Sequence, residues 1–188
     1  MPRQGLDPAR VVAAAADIAD AEGLDAVTLA RVAGELDVRP PSLYVHVAGL
    51  AALRRGIALL GVRELTAAMR EAALGRSGAD ALRAAAATYR AYALEHPGRY
   101  AASVRAPEPG DAEHARAAAE AVEVLAAVLR EWELEGDDAV HAIRGLRAAL
   151  HGFAAVERLG GFALDVSVDE SFDRLIATLA AGLHKSSA

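Results

Sequence analysis

The sequence predicts an all-α protein of about nine helices, with an N-terminal three-helix unit ahead of a larger helical body. Three observations point there. Apolar residues make up 54% of the 188, enough for a sizeable core, while aromatics supply only 4%. Alanine, leucine, arginine and glutamate dominate, and all four are strong helix formers. Apolar positions recur at helical spacing between glycine and proline breaks, and no strand pattern competes.

Residues 7–22 read as the first helix. Val11, Ala15, Ile18 and Ala19 share a face, Asp7 with Pro8 marks the start, and Gly23 the stop. Residues 28–36 read as a shorter helix capped by Thr28, with Leu29, Val32, Ala33 and Leu36 on its apolar side. Asp37 and Val38 make a tight turn. A third short helix is expected to begin at Pro41, because Pro41 holds Pro40 out of the α region. Its Leu43, Val47 and Leu50 pack inward, and Ser42, Tyr44, Val45 and His46 lie elsewhere on its surface. Long helices are then expected over 50–74, 79–95, 111–134, 137–159 and 169–184, with a short piece over 97–104. The breaks are 75–78, His96-Pro97-Gly98, 106–110, Glu135-Gly136 and 160–168.

Composition narrows the function. There is no cysteine, which excludes disulfides, thiol catalysis and cysteine-ligated zinc. Residues 1–7 carry no apolar signal core, and no stretch approaches the roughly 18–20 apolar residues of a membrane span. The expectation is a cytoplasmic protein without a membrane partner. Net charge is −6, unevenly placed: residues 1–63 hold seven arginines against seven carboxylates, and the remainder carries the whole excess. The N-terminal third is therefore the part compatible with a polyanion, through locally placed arginines rather than a broad basic field. No glycine-rich phosphate loop, metal-ligand helix or nucleophile elbow is present, so no enzyme, cofactor or metal is expected. His141 and His151 are ten residues apart and share no helix face.

The informative segment is TLARVAGELDVRPPSLYVHV at 28–47. It reads as two short helices joined by a tight turn, with the second facing outward. A helix-turn-helix needs this arrangement, since one helix braces on the phosphate backbone and the other enters the major groove. LDVRPPSLYVHV resembles the recognition segment of the TetR family, whose pattern runs roughly L-G-V-x-x-x-[ST]-L-Y-x-H-[FV]. Leu36, Val38, Ser42, Leu43, Tyr44, His46 and Val47 fit it. The resemblance covers about the first 55 residues. It implies a DNA-binding domain over 1–48 and a ligand-binding and dimerisation domain over 49–188.

The resemblance implies roles for individual residues. Tyr44 and His46 bind phosphate, Ser42 anchors the backbone, and Thr28 caps the second helix near a phosphate. Arg39, Pro40 and Pro41 stand where bases are read, with Val45 or the prolines against a thymine methyl. Arg31 joins this set, and with Arg3, Arg10, Arg54 and Arg55 it compensates three departures from the family pattern. Asp37 stands where glycine is usual, Ala30 where arginine is frequent, and Leu50 where lysine often meets phosphate. Those departures and the acidic charge leave an alternative open, a helical interaction module that has lost DNA binding.

In the body, ALEHPGRYAAS at 93–103, LHGFAAVE at 150–157, GGF at 160–162 and DESF at 169–172 resemble one TetR subgroup. The 137–159 helix carries a large apolar stripe and a stripe of small residues. The last two helices have more apolar face than one core needs, which suggests a homodimer. The interface is assigned to Gly145, Ala148, Ala149 and Gly152 on one helix and to Phe172, Ile176, Leu179 and Leu183 on the other. A pocket between helices has Met69, Tyr89, Tyr92 and Tyr100 as candidate liners, with Trp132, Leu146, His151 and Phe153. The family resemblance implies a repressor on a near-palindromic double-stranded operator, released by a small-molecule effector; the sequence itself shows no effector site.

Overall fold

The computed structural model describes residues 5–183. Among them the chain is helical with no strand, as eight α-helices and three 3-10 segments. The α-helices are α1 (Pro8–Glu22), α2 (Leu29–Glu35), α3 (Leu50–Ala73), α4 (Gly78–Glu95), α5 (Pro97–Ser103), α6 (Ala112–Val128), α7 (Gly136–Arg158) and α8 (Val168–Gly182). The expected nine elements are these eight and the 3-10 segment Pro40–Val45, which takes the place of the third short helix.

Local chemistry explains the ends. Asp7 accepts the Arg10 N–H at 2.8 Å with Pro8 in the first turn, and Gly23 closes α1 at φ 91°. Thr28 Oγ1 accepts the Arg31 N–H at 3.1 Å and starts α2. Ser167 does the same for α8 through the Glu170 N–H at 3.2 Å. Helix α6 stops at Val128, short of the expected 134, and the chain tightens into a 3-10 turn over Arg130–Trp132. Glu133 then takes a left-handed conformation at φ 50°. This turn lets the Trp132 indole donate to the Ala180 carbonyl of α8 at 3.1 Å, a bond a continuing helix would redirect. His184, the expected end of the last helix, lies outside the described residues.

The chain divides into two compact units. One runs through Glu64 and takes in Glu95–Ala117; the other holds Leu65–Leu94 and the chain from Ala118 on. The first unit has a core of Val11, Ala15, Ile18, Val32, Leu43 and Leu53 with their neighbours, all buried. It also contains α5, which is held against α1 at two points. Gly98 lies so close to α1 that a Cβ there would overlap the backbone of Ala19 and Asp20. The Asp20 carboxylate accepts the N–H groups of Gly98 and Arg99 at 2.8 and 2.9 Å, satisfying donors that the first turn of α5 leaves free.

In the second unit Tyr89, Leu146, Leu150, Phe172 and Ile176 are buried. Arg90 of α4 binds Glu157 of α7 at 2.6 Å and Asp169 of α8 at 2.8 Å. Its guanidinium lies 5.5 Å from the Phe153 ring centroid and 4.9 Å from that of Phe172.

Candidate nucleic-acid interface

Two buried residues orient the 39–46 stretch. Leu43 is fully buried and Val47 is 8% exposed, so both anchor the segment in the first unit's core. Tyr44 and Val45, between them, are 62% and 83% exposed. Arg39, Pro40, Pro41 and Ser42 are also exposed, and His46 is half-buried. The structure thus brings seven of the nine expected DNA-contact residues onto one continuous outward stretch.

The backbone here is 3-10 rather than α, and it begins at Pro40 rather than Pro41. The proline pair is the cause. Neither Pro40 nor Pro41 can donate, so the first available donor, Ser42 N–H, closes back on the Arg39 carbonyl at 2.9 Å. Arg39 before them is extended at φ −81° and ψ 142°, as a residue preceding proline prefers. At the far end, His46 and Val47 N–H both meet the Leu43 carbonyl at 2.9 Å. The turn that sets this segment against α2 passes through Asp37 at φ 53°, the left-handed region that glycine adopts at no cost.

The other two expected residues lie outside that stretch. Thr28 caps α2 as expected, its hydroxyl oxygen accepting the Arg31 N–H. The Arg31 guanidinium binds Glu22 at 2.7 Å and Glu35 at 2.8 Å; Glu22 first and Glu35 second raise its pKa above the ordinary arginine value. The compensating arginines are similarly engaged. Arg54 donates to the Leu24 carbonyl at 3.3 Å. Arg55 binds Asp111, and Glu113 at 2.9 Å. Hydrogen bonds from Arg55 first, and from the His114 N–H second, hold the Asp111 carboxyl well below the usual carboxylate range. Arg3 lies outside the described residues. Arg39 is paired with no carboxylate among the described residues, so its guanidinium is available to an outside anion.

Comparison with known proteins decides the family. Residues 82–179 match the model of the tetracyclin repressor-like C-terminal domain. The chain is 35% identical over 176 residues to an uncharacterized HTH-type transcriptional regulator of Mycobacterium tuberculosis, covering 93% of this chain and 80% of that protein. It is 36% identical over 183 residues to another from Bacillus subtilis, covering 97% and 95%. The chain belongs to the TetR family. Among solved structures, a TetR variant from Acinetobacter baumannii in complex with minocycline superposes with a TM-score of 0.71 at 21% identity, covering 97% of this chain and all of that one. The protein is therefore a DNA-binding transcriptional regulator, which favours that reading over the interaction module.

In this TetR-family regulator the body residues scatter. Met69, Tyr89, Tyr92, Tyr100 and Leu146 are buried, as a pocket wall or a plain core requires. Trp132, in the 3-10 turn after α6, is half-buried against α8, and Phe153 packs on Phe162 and Phe172 at 4.8 and 5.0 Å between centroids. His151 is exposed, beside the buried face of α7 rather than on it. A cavity of about 360 Å³ is present in the second unit, and none of the eight expected residues lines it. On the expected interface, Gly145, Ala148 and Gly152 are exposed, and a Cβ on either glycine would meet only open space. Ala149, Leu179 and Leu183 are half-buried. Phe172 and Ile176, at 3% and 2% exposure, belong to the subunit's own core. The α8 stripe is wide because it serves the interior as well as the outer face, and periodicity alone does not divide the two.

Sequence reading missed Asp20, Gly98 and Arg99. Gly98 follows a proline and reads as a helix stop. Nothing local to residue 20 announces a partner 78 residues on.

Proposed function

We propose that the protein is a dimeric cytoplasmic repressor whose residues 1–48 read a near-palindromic operator and whose residues 49–188 hold the dimer contacts and a small-molecule effector. The observation that carries this reading is the outward stretch Arg39–His46, fixed from behind by Leu43 and Val47. Arg39 reads a guanine edge, Tyr44 and His46 contact phosphate, Ser42 steadies the backbone, and Val45 with the prolines meets thymine methyls. Two copies joined through the exposed small-residue face of α7 (Gly145, Ala148, Gly152) and through Leu179 set the recognition segments about one DNA turn apart, roughly 34–36 Å. The minocycline complex of the Acinetobacter neighbour is the precedent for a small-molecule ligand. The required coupling is modest, about 1–3 kcal/mol between the two sites.

The test is binding to DNA immediately upstream of the protein's own gene at two salt concentrations, with the natural protein and Tyr44→Ala. The expected result is sequence-selective, salt-sensitive binding that Tyr44→Ala weakens roughly fivefold, the worth of one hydrogen bond. Absence of binding there, followed by no selected sequence from random DNA at low salt, overturns the reading.

A further inference from the structure

We propose that the cleft at the α3–α4 elbow is a binding site for an amphipathic anion, a carboxylate or phosphate carried on a short apolar tail. The cavity, about 360 Å³, falls within the roughly 300–1,000 Å³ of small-molecule sites. Three arginines line it from three stretches of chain: Arg70 in the last turns of α3, Arg76 in the link to α4, and Arg130 in the 3-10 turn after α6. Its floor is apolar, with Ala81, Val124 and Val128 buried beneath it.

The charges are unevenly paired. Arg76 lies 3.4 Å from Asp80, and Glu123 on the wall offsets one further cation. Arg70 and Arg130 form no ion pair among the described residues. Two guanidinium groups therefore line the cleft without a bonded carboxylate among the described residues. Guanidinium groups suit an anionic ligand, because each offers a planar fork to carboxylate or phosphate oxygens.

The wall also brings two stretches of chain together. Gly78 begins α4 at φ 50°, and the Glu131 carboxylate fits so closely over it that a Cβ there would overlap. That contact brings the turn carrying Arg130 beside the start of α4. The polar rim and apolar floor together call for a ligand with a charged head and a short hydrocarbon body.

Calorimetric titration of the full chain, without DNA, with octanoate, octyl phosphate and octanol tests this. Saturable binding of at least one of the two anions is expected, at least tenfold tighter than octanol; the tighter head group tells carboxylate from phosphate. The Arg70→Gln/Arg130→Gln variant is expected to lose at least tenfold in affinity with an unchanged melting temperature, since both residues are exposed. Equal binding of octanol, unchanged affinity in the double variant, or no saturable heat with either anion overturns the proposal, and none of these results touches the DNA reading.

Discussion

The two units treat their arginines differently. In the first, Arg31, Arg55, Arg63 and Arg99 each meet carboxylates of the same unit, whereas Arg39 at the recognition stretch, like Arg105 and Arg116 elsewhere in the unit, meets none among the described residues. In the second, Arg90 is sandwiched between acids and aromatic rings, while Arg70 and Arg130 share a cleft with no acid bound to either. The contrast teaches that formal charge is a poor guide to where an anion is held. Pairing decides it, because a guanidinium bonded to its own carboxylates offers little field to an outside one. A nearly neutral N-terminal third can therefore bind DNA through a few directed contacts, and an acidic body can still present an anion site.

Four experiments break or sharpen this contrast, the largest effect first. Asp20→Ala removes the acceptor of two α5 N–H groups and a partner of the mostly buried Arg99, whose Nε lies 3.3 Å from it. Arg99 keeps Asp17 and Glu64 as partners, so the loss falls on the two N–H groups left without an acceptor, and urea unfolding is expected to show a loss of about 3 kcal/mol. Arg39→Ala leaves stability unchanged, because the side chain is exposed. In competition against operators altered at one base pair, it is expected to lose about 2 kcal/mol of discrimination. Loss of affinity uniform across sequences would instead assign Arg39 to phosphate.

Asp37→Gly relieves a left-handed φ of 53° and is expected to stabilise the fold by about 0.5–1 kcal/mol in thermal melts. An unchanged melting temperature would show that the turn carries no strain. The smallest effect concerns acid. Arg55 depresses the pKa of Asp111 first and that of Glu113 with it, so their contribution is complete above the ordinary carboxylate range and fades as pH falls below it. Arg55→Gln should therefore lose less melting temperature than the natural protein between pH 6 and pH 3. Equal losses would mean that the ion pair adds nothing in solution.

Legibility followed distance along the chain. The caps at Asp7 and Thr28 and the stop at Gly23 are written within four residues of the backbone groups they satisfy, so they read directly. The recognition stretch reads well because turn, core and surface positions alternate over 12 residues, from Leu36 to Val47. The 3-10 winding is less legible, since it depends on which donor is first available after two prolines. The placement of Phe172 and Ile176 and the bond from Trp132 to Ala180 depend on which helices meet, and that is fixed by packing rather than by period. The cleft has no sequence signature at all, since Arg70, Arg76 and Arg130 each look like an ordinary solvated residue near the end of a helix.

The fastening of α5 to α1 bears on how the molecule is made. Residues 95–117 complete a unit that begins near the start of the chain, so the helix-turn-helix emerges from the ribosome well before its last structural member. At about 5–20 residues per second, α1 waits several seconds with the Ala19 and Asp20 surface uncovered. A nascent chain halted before Gly98, or a fragment cut at residue 48 or 64, presents that surface to chaperones and proteases, and the reading head of the regulator matures only after the middle of the chain has been synthesised.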